Sequence, residues 1–155
     1  MDDFEAWYRA QHPRLLASML LVTGDLHEAA EATDEAFARA CERWDRLATM
    51  ASPGGWTYRT ALNVTRRRAR RRQLEHHLLR RTPPAADVPA PAGEAWALVA
   101  DLPPRQRTAV VLRYVADLPE DGIAEAMGIR RGTVAATLHA ARRTLGRDLT
   151  EALDG

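Results

Sequence analysis

The chain predicts an all-α protein of two small helical domains joined by a linker rich in proline and alanine. Three stretches carry that expectation: a helix-turn-helix pattern at 118–145, a long arginine-loaded helix near 55–79, and TPPAADVPAPAG at 82–93, which has no hydrophobic periodicity. A length of 155 residues suits one domain or two small ones, since domains run to roughly 100–200 residues and smaller units are common.

The C-terminal part is the most patterned. In LPEDGIAEAMGIRRGTVAATLHAARRTL (118–145), Ile123, Ala124 and Met127 put small or apolar groups on one face of a first helix, and Gly128 follows where a left-handed cap is needed. Ile129 enters the corner, and Val134, Leu138, Ala141 and Leu145 recur at helical spacing along a second helix. Such a unit lays its second helix in a DNA major groove, its first turns reaching the base edges. Here the reading face is Thr133, Ala135, Ala136, Thr137, His139 and Ala140, with Arg130 and Arg131 before it and Arg142 and Arg143 after. Base contacts would fall to Arg130, Arg131, Thr133 and His139, and phosphates to Arg142 and Arg143. His139 also reads as an ordinary surface histidine.

From the N-terminus, 4–22 reads as a helix broken near Pro13 and ended by Gly24. Asp25 with Glu28 makes a capping-box pair for a helix over 26–46. Along it Ala29, Ala32, Ala36, Phe37, Ala40 and Trp44 can face a core. Glu28, Glu31, Asp34, Glu35, Glu42 and Asp45 form an acidic stripe, which is either a solvated face with local pairs such as Glu35–Arg39 or a docking surface. Residues 47–55 read as a loop in which Ser52 can cap the next helix and Pro53 suits its first position.

That next helix carries Trp56, Tyr58, Leu62 and Val64 before TRRRARRR at 65–72, six Arg in seven positions. Like charges this dense repel one another and favour a polyanion, so Arg66, Arg67, Arg70 and Arg71 are candidates for phosphate contact rather than only a solubilising helix end. The linker, at about 3.1 Å per residue when extended, reaches about 37 Å, near one turn of DNA at about 34 Å. Short helices at 94–102 and 104–115 should pack against the helix-turn-helix.

Charge is distributed unevenly. Residues 1–60 balance at −4, 61–81 at +7 and 82–155 at −2, so the net +1 hides a single cationic band. Lone Cys41 excludes an internal disulfide, and no Cys/His spacing suits a metal. Asp2, Asp3 and Glu5 have the wrong sign for a secretory leader, and no apolar run is long enough to cross a bilayer, so a cytoplasmic protein without membrane insertion is expected. No motif resembles an active site, and no cofactor is implied.

The order of these parts resembles bacterial RNA polymerase sigma factors of the extracytoplasmic-function type, in the sigma-70 superfamily. The resemblance spans nearly the whole chain and is carried by GDLHEAAEATDEAF (24–37), SPGGWTYRTALNVTRRR (52–68), LPPRQRTAVVLRYVADL (102–118) and the IAEAMGI…GTV helix-turn-helix. It implies a region 2 helical bundle over 1–81, a linker at 82–93 and a region 4 helix-turn-helix domain over 94–155. It implies no enzyme activity of the chain itself. RNA polymerase core enzyme, promoter DNA and an anti-sigma factor would be its partners.

The resemblance makes Glu31, Asp34, Glu35 and Phe37 candidates for docking on the polymerase. The family usually has Asp at the position of Glu31 and Gln at that of Asp34. Trp56 and Asn63, with the loop before them, match the part that captures a flipped base of the downstream promoter element. The arginine band would then hold that strand's phosphates. By its own chemistry Trp56 reads first as a core residue and only second as a stacking platform. The recognition helix departs most: the family commonly has Lys or Arg, Ser and Arg where this chain has Ala135, Ala136 and Thr137, and Arg where it has Ala140. Every bidentate arginine–base pair that is missing removes about 1–3 kcal/mol of base discrimination. Two rivals follow: a sigma-like decoy that keeps its docking surfaces but reads promoters poorly, and a stand-alone helix-turn-helix regulator.

Overall fold

The computed structural model describes residues 2–79 and 93–154. Most of the linker at 82–93, and Arg80 and Arg81 before it, lie outside the described residues. Among those described there are eight helices and no strand: α1 (Asp2–Thr23), α2 (Leu26–Glu42), α3 (Trp44–Leu47), α4 (Pro53–Leu79), α5 (Glu94–Val99), α6 (Pro104–Tyr114), α7 (Glu120–Met127) and α8 (Arg131–Asp154).

Local chemistry explains most of the boundaries. Gly24, at φ +71°, ends α1 in the left-handed region. Asp25 then accepts the Glu28 amide at 3.2 Å to cap α2, while the Asp25 amide bonds Thr23 Oγ1 and not Glu28, so only half of the expected capping box forms. Ser52 Oγ accepts the Gly55 amide at 3.0 Å, with Pro53 as the first residue of α4. Gly128 (φ +66°) caps α7, and the Ile129 amide reaches back to the Ala124 carbonyl at 3.1 Å.

Three expectations need correction. Helix α1 runs unbroken through Pro13, which sits on an exposed face where the carbonyl it cannot pair is open to water. The single helix expected over 26–46 breaks at Arg43 (φ −117°, ψ 17°) into α2 and α3. The loop expected at 47–55 is shorter, because Leu47 is buried within α3 and Pro53 to Gly55 already belong to α4.

The N-terminal half packs α1, α2 and α4 around Leu15, Met19, Ala29, Ala32, Ala36, Phe37, Ala61 and Val64. An aromatic group of Phe4, Trp7, Tyr8, Phe37 and Trp44 closes one end. In the C-terminal half, α6, α7 and α8 bury Val111, Leu112, Ile123, Val134, Leu138 and Ala141. The two halves also pack on each other: α7 lies along the start of α4, and α1 meets α5 and α6. Glycines permit this approach. A Cβ at Gly24 would come within 2.8 Å of Trp96, and one at Gly55 within 3.4 Å of the Gly122 carbonyl.

Candidate nucleic-acid interface

The residues singled out on α4 are arranged by helical geometry. Trp56, Asn63, Arg67 and Arg70 are separated by seven, four and three residues, which aligns them in one stripe. Asn63, Arg67 and Arg70 are exposed and Trp56 is half-buried. The opposite face carries Thr57, Ala61 and Val64 into the core. Trp56 joins none of the ring contacts among the described residues, so it stands at the edge of the N-terminal half rather than in its aromatic group.

The arginine band divides by azimuth. Arg68 pairs with Glu31, Arg72 Nη1 lies 3.3 Å from Glu28 Oε1, and Arg67 Nη2 lies 3.8 Å from Glu35 Oε1, so these three turn toward α2. Arg66, Arg70 and Arg71 have no acidic partner among the described residues and are exposed. Of the four candidate phosphate contacts, Arg67 is therefore partly engaged within the chain, and Arg66, Arg70 and Arg71 are not.

The same pairs decide what the acidic stripe of α2 presents. Glu31 meets both Arg68 and His27, whose Nε2 is 3.2 Å away, and Glu35 meets Arg39 as well as Arg67. Asp34 is the most open of the three acidic candidates, its side chain 75% exposed and 3.8 Å from His12 Nε2. Phe37 is only 4% exposed. Its ring meets Tyr8 edge-on at 4.9 Å and Trp7 at 5.5 Å. Buried there, it supports the acidic face from beneath and offers no surface of its own.

In the helix-turn-helix, Val134, Leu138 and Ala141 hold α8 against α6 and α7, leaving Thr133, Ala135, Ala136 and His139 exposed on the outer face. Thr137 turns its hydroxyl back to the Thr133 carbonyl at 2.7 Å. Arg131 lies 3.4 Å from Glu120 and 3.5 Å from Asp121, stapling the start of α8 to the first turn of α7. Arg142 donates to the Tyr114 hydroxyl at 2.9 Å and stands over that ring. Arg130 and Arg143 are exposed without an ion-pair partner among the described residues.

Sequence reasoning missed Arg59, Arg105 and Arg107. Arg59 Nη1 is 3.6 Å from Glu125 Oε1 across the two halves, and Arg107 lies over the Trp96 ring at 5.7 Å. No local spacing signals such contacts.

Family comparison accounts for both halves together. The profile described as Sigma-70 region 2 matches residues 7–75, and that described as Sigma-70, region 4 matches 92–145. An RNA polymerase sigma-E factor of Streptomyces avermitilis is 30% identical over 152 residues, covering 95% of this chain and 85% of its own length. The chain belongs to the sigma-70 family, in its extracytoplasmic-function group. Another relative, the ECF RNA polymerase sigma factor SigW of Bacillus subtilis, is 28% identical over 147 residues, covering 83% of this chain and 79% of SigW. The sigma factor RpoE of Bartonella quintana, solved in complex with the anti-sigma factor NepR, shares the fold with a TM-score of 0.80 at 18% identity. That likeness covers 97% of this chain and 98% of that one. Within this sigma-70 family member, the α4 stripe falls in the region 2 match and the α8 face in the region 4 match.

Proposed function

We propose that the chain is a promoter-specificity factor that docks on RNA polymerase core enzyme and directs initiation, with residues 1–81 acting at the downstream promoter element and 94–155 at the upstream one, across the linker at 82–93. The observation that carries this reading is the division of α4: Arg68 and Arg72 are tied to the acidic helix α2, while a stripe of half-buried Trp56 and exposed Asn63 and Arg70, with exposed Arg66 beside it, is left without an acidic partner among the described residues. An unstacked base needs an aromatic or polar pocket with cations holding its strand, and that stripe supplies those groups in line. Docking on the polymerase falls to the α2 face around Glu31, Asp34 and Glu35. Arg130, Thr133, His139 and Arg143 are the residues of the helix-turn-helix left to meet the upstream element. The chemistry of RNA synthesis belongs to the polymerase.

The site of action is the cytoplasm, where transcription occurs. Among the described residues no helix is long and apolar enough to cross a membrane. An anti-sigma partner is proposed by analogy with the NepR complex of the structurally similar factor.

A second reading, the decoy, is favoured by one observation. The exposed face of α8 carries Ala135 and Ala136, which offer bases no hydrogen bond. Run-off transcription with purified core polymerase on a promoter library separates the readings. Promoter-specific transcripts support the initiation factor, and core binding without transcripts supports the decoy. DNA binding without core binding would leave a free-standing regulator.

A further inference from the structure

We propose that the groove between the two halves binds a small polyphosphate anion, which clasps the halves together. The groove holds about 520 Å³ and is walled by α4 on one side and α6 on the other. Arg66 and Arg70 enter it from α4, Arg105 and Arg107 from α6, and Thr65 and Thr108 line it beside them. Among the described residues no carboxylate lines it.

This differs from the arginines facing α2, each of which has a glutamate. Here arginines from both halves line one groove, and among the described residues no acidic side chain lines it with them, an arrangement that favours an anion. Guanidinium is suited to bidentate bonds with phosphate oxygens, and the volume lies within the range of small-molecule sites. A ligand with two or more phosphates can meet Arg66 and Arg70 through one group and Arg105 and Arg107 through another. Binding would hold α6 against α4 and occupy two arginines otherwise open to nucleic acid, so the ligand opposes DNA engagement by this face.

Isothermal titration calorimetry on the full chain with inorganic tripolyphosphate, and with orthophosphate for comparison, tests the site. One site per chain is expected, with orthophosphate at least tenfold weaker. Charge-assisted hydrogen bonds are strong enough that Arg70→Gln and Arg105→Gln should each weaken tripolyphosphate about tenfold or more. Arg46→Gln, which removes the same charge from the exposed face of α3, should change it less than twofold. Absence of saturable binding at millimolar concentration overturns the proposal, as does equal loss in all three variants, which would mean non-specific attraction. Loss in Arg70→Gln but not in Arg105→Gln would overturn the bridge. A single-stranded hexanucleotide provides the last arm: if Arg105→Gln weakens it as much as it weakens tripolyphosphate, the groove is a nucleic-acid track and the small-ligand site is wrong.

Discussion

Arg59 on α4 and Glu125 on α7 face each other at 3.6 Å, beside the point where Gly55 lets the two helices touch. Both side chains are about half exposed, at 49% and 44%. Solvent-screened pairs of this kind contribute about 0–1 kcal/mol. Glu125→Gln should therefore lower stability by less than about 1 kcal/mol, with the difference fading in high salt. Gly55→Ala should cost more. Its Cβ would stand 2.8 Å from Ser52 Oγ, displacing the oxygen that caps α4, and 3.4 Å from Glu125 Cγ. Loss of a cap costs about 0.5–2 kcal/mol. Urea unfolding of the two variants checks the order, and an equal effect would show that the close approach of α4 and α7 contributes little.

The division of the arginine band predicts two kinds of mutant. Replacing Arg66 and Arg70 by Ala should flatten the salt dependence of DNA binding by the polymerase complex, by about 0.7–0.9 in log–log slope for each phosphate left without its arginine. Replacing Arg68 and Arg72 should leave that slope nearly unchanged and instead release Glu31 and Glu28, at about 1 kcal/mol or less of stability each. Filter binding across a salt series, paired with thermal unfolding, distinguishes the two. Equal slopes in both double mutants would refute the assignment.

Phe37→Ala should destabilise the N-terminal half by about 3–5 kcal/mol, the usual cost of emptying a buried aromatic site. Phe37→Leu should recover much of that loss. If the Ala variant unfolded at the wild-type denaturant midpoint yet lost polymerase binding, Phe37 would be a contact and not a support.

Tyr58 gives the chain an alkaline weakness. Burial raises its phenol above the ordinary value of 10.0, partly offset by Ser18, whose Oγ is 3.4 Å from the hydroxyl, and by the charge of Arg14. The folded state thus holds this proton more tightly than the unfolded chain. The resulting stability is complete below pH 10 and is lost as pH rises through the higher folded value. Tyrosinate absorbance of the wild type compared with Tyr58→Phe should isolate a component that ionises above pH 10 and belongs to Tyr58. Tyr58→Phe should flatten the fall in stability over that alkaline range, and an unchanged fall would assign it to other groups.

Sequence alone determined the helical class, the position of the turn at Gly128, the caps at Asp25 and Ser52, and the burial of Val134, Leu138 and Ala141. Each of these is settled within a few residues, by a backbone hydrogen bond, an allowed φ or a 3.6-residue period, and is therefore written locally. The family was legible for a related reason, because the order of such local units is itself a pattern. Tertiary structure alone decided that Arg68 turns to Glu31 while Arg66 and Arg70 line one groove with Arg105 and Arg107, and that α7 lies against α4. Arginines one or two positions apart are equivalent in composition and differ by about 100° or more around a helix. Which of them gains a partner depends on where another helix is packed, and that placement comes from burial across distances that no local spacing encodes.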